Sequence, residues 1–203
     1  MQHEPRPSVW ERSRQMAGRE IIDTAVRLFT TQGYEETTIA QIAREAGVSQ
    51  RTLFRYFGTK EDLVCGDQDE LGRLLAKTVK EQPAEVSAWD ALRRGFTALL
   101  TANHALETTL TLSTLIFRTP ALHANYVQKR LRWQSDLMPV IRERLEAAGH
   151  EGPKADHEAR TVIAVSFACA DAATATWIAG NGTGDPVSLY DQALALTLTR
   201  TAL

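Results

Sequence analysis

Disulfides, long apolar runs and catalytic motifs are what this chain lacks. It holds two cysteines in 203 residues, Cys65 and Cys169, alone and far apart. They read as small apolar fillers of a protein kept in a reducing cytoplasm, not as a disulfide framework. No run of 18 apolar residues exists, so no membrane span is expected. The opening residues M-Q-H-E-P-R-P-S-V-W contain no apolar stretch of the secretory kind. Five scattered histidines give no metal-ligand spacing, and neither metal nor cofactor is expected. His157-Glu158 has no second histidine at helical distance, and no Gly-x-Ser-x-Gly elbow occurs. Gly180-x-Gly182-x-Gly184 has no strand before it, and its spacing is wrong for a dinucleotide. These absences argue against an enzyme, and no catalytic residue is assigned.

A strong charge of one sign is also missing, since the net charge is −2. That average hides an asymmetry. Residues 1–60 carry nine Lys/Arg against seven Asp/Glu, a balance of +2, while residues 61–203 carry 14 against 18, a balance of −4. Local patches, not totals, set affinity for phosphates. With 43% hydrophobic and 24% charged residues, the composition is that of an ordinary globular chain long enough for a substantial core.

The most informative stretch is residues 38–60, T-I-A-Q-I-A-R-E-A-G-V-S-Q-R-T-L-F-R-Y-F-G-T-K. Thr38 followed by Gln41 reads as a capping box, and Ile39, Ile42, Ala43 and Ala46 then recur at helical spacing. Gly47 supplies the left-handed residue that ends the helix. Val48 is expected to be buried in the corner. Ser49 caps a second helix whose inward residues are Leu53 and Phe57. Two short helices joined by a tight glycine turn form the helix-turn-helix of DNA readers. The second helix turns Gln50, Arg51, Thr52, Arg55 and Tyr56 outward, with Phe54 partly exposed. Gln and Arg can bond base edges in pairs, and hydroxyls suit phosphate oxygens. Thr59 to Asp62 reads as another capping box, placing Lys60 and free amides where an anion could sit. The expected DNA contacts are Thr38, Arg44, Ser49, Gln50, Arg51, Thr52, Phe54, Arg55, Tyr56 and Lys60.

The rest of the chain reads as helices too. Residues 1–10 are expected to be a disordered arm, in which Arg6, with Arg12 and Arg14 beyond it, could touch a minor groove. One amphipathic helix is expected over 11–32 and a single helix over 59–80, ended by Pro83. Ser87 caps the next, over 87–102. An irregular helix follows near 105–117, then a long one over 122–148 that Pro139 should kink or break. A loop over 149–153 precedes an alanine-rich helix over 156–179. The last helix begins with Asp185 as cap and Pro186 in its first turn and runs to about 201. The fold class is therefore all-α with about nine helices: a three-helix DNA-binding domain over 11–60 and a ligand-binding and dimerisation domain over 61–203.

The stretch from Arg19 to Leu63 resembles the N-terminal domain of the TetR family of transcriptional regulators. The resemblance rests on Ile21-Ile22-Asp23-Thr24-Ala25, Phe29, Gly33-Tyr34, Thr37-Thr38, Ile42-Ala43, Ala46-Gly47-Val48-Ser49, Thr52-Leu53-Phe54, Tyr56-Phe57 and Lys60-Glu61-Asp62-Leu63. Two departures stand out. Arg51 occupies a position that is often glycine in the family, and the usual Tyr-x-His-Phe is here Phe54-Arg55-Tyr56-Phe57. The segment from Arg51 to Asp69, with its F-R-Y-F and G-D-x-D, is most similar to a subset that includes regulators like the mycofactocin regulator. The resemblance implies ligand-controlled repression. An effector that binds better to a splayed state would separate two DNA-binding heads.

Small residues such as Ala164, Ser166, Ala168, Ala170, Ala172 and Ala173 would let another helix approach closely. The last two helices, about 156–179 and 186–201, therefore read as a homodimer interface. Dimerisation would place two recognition helices in successive major grooves of a palindromic operator, about 34–36 Å apart. The middle helices would enclose a small-molecule effector. Its candidate lining is Trp89, His104, Phe117, Tyr126, Arg130, Trp133 and Trp177, with Asn103 and Arg118 beside them. Arg130, if it points inward, could hold an anionic head next to an apolar tail. The alternatives are an activator of the same fold and, from other classes, a helical scaffold or an enzyme.

Overall fold

The structure, a computed structural model, describes residues 9–65, 68–102 and 106–198. Among the described residues there are ten helices and no strand. They are α1 Val9–Gln32, α2 Ile39–Glu45, α3 Gln50–Phe57, α4 Lys60–Cys65, α5 Gln68–Lys80, α6 Ala88–Ala102, α7 Leu106–Arg118, α8 Pro120–Ala147, α9 Gly152–Ala179 and α10 Pro186–Leu198. The chain forms two units, Met1–Asp67 and Gln68–Leu203.

Most helix ends follow local chemistry. The Thr38 hydroxyl accepts from the Gln41 amide at 3.1 Å and the Ser49 hydroxyl from the Thr52 amide at 3.1 Å, each satisfying one donor left open by a first turn. Ser87 and Asp185 do the same for α6 and α10, through the amides of Asp90 and Ser188. These bonds from Ser188 hold the Asp185 carboxyl below the usual range. Gly47, at φ 67°, closes α2 in a Schellman turn. The Val48 amide bonds the Ala43 carbonyl at 2.9 Å and the Gly47 amide bonds that of Arg44 at 3.2 Å. Val48 itself is half-buried, less covered than its apolar character suggests, because the turn carries it towards the surface.

Several boundaries differ from the sequence reading. α1 begins at Val9, so Val9 and Trp10 are helical; residues 1–8, with Arg6, lie outside the described ones. In place of one helix over 59–80 there are α4 and α5, and residues 66 and 67 lie outside the described set. α4 belongs to the first unit because Leu63 and Val64 are buried there and the Tyr34 hydroxyl donates to Glu61 Oε1 at 2.7 Å. α7 is a regular helix from Leu106 to Arg118. α8 starts at Pro120 and continues through Pro139 unbroken, and α9 starts at Gly152 with Pro153 in its first turn. A proline there loses no hydrogen bond, since first-turn amides have no partner in the helix.

The first unit packs Ile21, Ala25, Leu28 and Phe29 of α1 with Tyr34, Ile42, Ala43, Leu53, Leu63 and Val64. The Phe29 and Tyr34 rings lie 5.1 Å apart. In the second unit, α8, α9 and α10 bury Leu137, Ile141, Ile163, Phe167 and Tyr190, with Leu75 and Val79 of α5 and Leu92 and Phe96 of α6 closing the core. α6 can approach α5 because Gly95 has no side chain: a Cβ there would lie 2.7 Å from Leu75 Cδ1 and 2.8 Å from Val79 Cγ2. Burial pushes the Tyr190 phenol up to about 12 and also raises the Cys169 thiol, so both stay protonated at neutral pH. α9 is long and apolar enough to cross a membrane, yet its buried face is part of this core.

Candidate nucleic-acid interface and effector site

α3 exposes Gln50, Arg51, Phe54 and Arg55 on one arc and buries Leu53 on the opposite side. The helix is held by its cap and by the α2–α3 corner, so these four side chains stand on a fixed frame. Thr52 is half-buried, and its hydroxyl lies 2.8 Å from that of Ser49, so both hydroxyls are already engaged locally. Tyr56 is half-buried; the Arg55 guanidinium lies 5.8 Å from its ring centroid. Thr38 and Arg44 are exposed on and beside α2.

Two fastenings that the sequence did not suggest tie α2 to α1. Gln41, expected to complete the capping box, instead pairs its amide with that of Gln32, through bonds of 2.8 and 3.0 Å. Gln32 also donates to the Thr37 hydroxyl at 3.0 Å, so it gathers Thr37 and Gln41 at the foot of α1. Arg27 bonds Glu45 at 2.6 Å and is the main cause of that carboxyl's lowered pKa. Neither pairing has a sequence-local signal, because the partners lie nine and 18 residues apart.

Lys60 is half-buried, with Nζ 4.0 Å from the Tyr34 ring centroid and 5.9 Å from that of Phe29. Ring faces attract a cation, which fixes the ammonium beside the start of α4. The Thr59–Asp62 capping box forms in both directions. Asp62 Oδ2 accepts from the Thr59 amide, and the Thr59 hydroxyl accepts from the Asp62 amide, each at 3.2 Å. The amides at this terminus are therefore fewer than the sequence suggested, and Lys60 supplies the charge.

In the second unit, Phe117, Tyr126 and Arg130 come together, joined by three residues the sequence reading had not singled out: His123, Phe167 and Asp171. The Phe117 ring lies 5.4 Å from His123 and 5.7 Å from Tyr126. The Arg130 side chain is only 12% exposed and points inward. Its guanidinium sits 5.5 Å from the Tyr126 centroid and 5.1 Å from that of Phe167, and Nη1 is ion-paired with Asp171. Tyr126 also donates to Asp171, at 3.2 Å. The buried Nε of Arg130 has no hydrogen-bond partner. Asp171 was visible in one respect: it is the only charged residue between Thr161 and Ala179.

Trp89 is half-buried against the core. Trp133 is buried beside Gly72 of α5, where a Cβ would lie 2.5 Å from the indole nitrogen. Trp177 is buried, and its indole donates to the Gly182 carbonyl at 3.0 Å, which anchors the turn before α10. Arg118 is exposed, and Asn103 and His104 lie outside the described residues.

The Arg130–Asp171 pair gives an asymmetric expectation. Asp171→Ala strands a nearly buried cation and should cost about 2–3 kcal/mol, discounted from fully buried pairs because Asp171 is a third exposed. Arg130→Met leaves the Asp171 carboxylate, which is a third exposed and still accepts from Tyr126, and should cost less than half as much. Urea midpoints of the two variants check this; equal losses would contradict it.

Residues 21–65 match the description of bacterial regulatory proteins of the TetR family, and residues 86–201 match the MftR C-terminal domain. The chain is 27% identical over 180 residues to the transcriptional regulator TcmR of Streptomyces glaucescens, covering 84% of this chain and 77% of that one. It is 29% identical over 146 residues to a Mycobacterium tuberculosis protein named as the mycofactocin biosynthesis transcriptional regulator MftR, covering 71% and 72%. Among solved structures, FadR from Bacillus subtilis, in complex with stearoyl-CoA, superposes with a TM-score of 0.60 at 22% identity, over 91% of this chain and 99% of that one.

Proposed function

The chain belongs to the TetR family of bacterial regulatory proteins, with a C-terminal domain of the MftR type, and is a DNA-binding transcriptional regulator rather than an enzyme; from that premise we propose that it is a ligand-released repressor acting on a palindromic operator as a homodimer. The observation that carries the reading is the exposed Gln50/Arg51/Phe54/Arg55 arc of α3 on a corner capped at both helices. Gln50 and Arg51, in the first turn, are placed to read base edges, as the N-terminal residues of recognition helices do. To phosphates we assign Thr38, Arg44, Tyr56 and Lys60, together with the Ser49–Thr52 hydroxyl pair, in which one of the two hydroxyl hydrogens is left to donate outward.

The pairing surface we assign to α9 and α10. Less than half of the most apolar stretch of α9 is buried within the chain, and Leu196 of α10 is 74% exposed. A second copy would cover both. The effector we place at the α7–α8–α9 corner, where Arg130 keeps an unpartnered Nε between two aromatic rings. An effector shifts the population of heads only by its differential affinity for the two states. Such a regulator works in the cytoplasm, where its operator is.

Salt-dependent gel shifts on the DNA upstream of its own gene test the reading, and absence of sequence-selective binding would remove it. Two substitutions separate the roles. Lys60→Ala should weaken binding to all sequences alike and lower the salt slope by about 1 per head. Gln50→Ala should relax specificity at one base position, at a cost of about 1–3 kcal/mol. The reverse pattern would exchange their assignments.

A further inference from the structure

Among the residues of the first unit whose side chains are described, 16–64, Met16 and Phe54 are the large apolar ones left exposed, and Phe54, at 47%, lies on α3. A helix advances about 100° per residue. Around α3 the exposed side chains therefore run in the angular order Gln50, Phe54, Arg51, Arg55. Phe54 lies near the middle of that arc, between side chains able to bond base edges, and not at its rim where phosphates would pass. It has no atom able to donate to or accept from a phosphate. The apolar features on a major-groove floor are the 5-methyl groups of thymine. We infer that Phe54 reads a thymine in each half-site by packing against its 5-methyl group. The inference rests on the reading of α3 as the base-reading helix.

The register follows. Phe54 is one turn beyond Gln50, about 5.4 Å along the helix. Base pairs are spaced about 3.4 Å apart. The thymine therefore lies within one or two base pairs of the position that Gln50 reads.

The test uses the full-length protein. Duplexes selected from a random pool are remade with deoxyuridine replacing one thymine at a time, which removes the methyl group and leaves every hydrogen-bonding atom. Fluorescence anisotropy at fixed salt should show one position per half-site where deoxyuridine weakens binding about fourfold, the worth of one buried methyl. Phe54→Ala should bind more weakly and lose that sensitivity; Phe54→Leu should keep part of it. Because Phe54 is exposed, Phe54→Ala should unfold at the wild-type temperature. Tolerance of deoxyuridine at every position, or full methyl sensitivity in Phe54→Ala, would overturn the inference and leave the regulator reading intact. A pool that yields no preferred duplex would overturn both.

Discussion

Replacing Arg144 with methionine is expected to destabilise the second unit by about 3 kcal/mol, because four backbone carbonyls lose a charged donor at once. Arg144 reaches from α8 to the end of α5 and the segment after it. Nη1 donates to the carbonyls of Pro83 at 2.6 Å and Val86 at 2.8 Å; Nη2 donates to those of Gln82 at 2.8 Å and Val79 at 3.2 Å. The last carbonyls of a helix lack partners within it; here Val79 and Pro83 also accept from the backbone amides of Gln82 at 3.4 Å and Val86 at 3.1 Å, and Arg144 adds the charged donor. One guanidinium thus ties the end of α5 to the segment before α6, beside Gln82, whose side-chain amide donates to the Thr78 carbonyl at 2.8 Å. Arg144→Lys should recover only a part, since an ammonium is a point donor without the planar fork that spans acceptors on two sides. For a chain of this size, 3 kcal/mol corresponds to roughly 6–12 °C in melting temperature. Three of the four tryptophans, Trp89, Trp133 and Trp177, lie in the second unit, so their fluorescence follows its unfolding. A methionine variant with an unchanged urea midpoint would show that water replaces the clamp.

This clamp also marks where sequence reading stopped. Thr38, Gly47, Ser49, Ser87 and Asp185 were legible because capping is a contest among neighbours three or four residues apart. The α3 face was legible for the same reason: helical period separates Leu53 from Gln50, Arg51 and Arg55. Arg144 had no such signal, since its acceptors are 58 to 65 residues away and are backbone atoms that every sequence possesses. Gln41 illustrates the opposite case. Its local pattern predicts a return bond to its own cap, but Gln32 offers two complementary amide bonds across the α1–α2 contact, and these win. Pro139 reads as a kink or a break; α8 runs through it without a break, because burial of Leu122, Trp133, Leu137, Ile141 and Leu145 on both sides outweighs one missing amide. Arg130 was noticed but not its direction, because only the fold reveals that Asp171 waits one helix away.

Ala168→Arg is expected to convert the homodimer proposed above into a monomer and to weaken operator binding about a hundredfold or more, the advantage that linkage of two heads confers. α9 buries Ala159, Val162, Ile163, Ser166, Phe167 and Ala173 within the chain. Its other side exposes Ala164, Ala168, Ala172 and Ala175. A helix face left to water is normally studded with charge, yet between Thr161 and Ala179 the only charged side chain is Asp171, which Arg130 engages. Removing the whole helix would destroy the core as well as the interface, so a single exposed position separates the two. If Ala168 faces solvent, an arginine there is nearly free, within about 0.5 kcal/mol. If it meets a second copy, the substitution places a long cation where a methyl group fits, once from each protomer. Light scattering should report about twice 22.5 kDa for the parent chain and 22.5 kDa for the variant, with the second unit's tryptophan signal unchanged. Ala147→Arg, exposed near the end of α8, serves as the control that keeps both mass and affinity. The variant should still bind an isolated half-site as the parent does, since α3 is untouched. A dimeric Ala168→Arg protein with full operator affinity would move the interface off this face of α9.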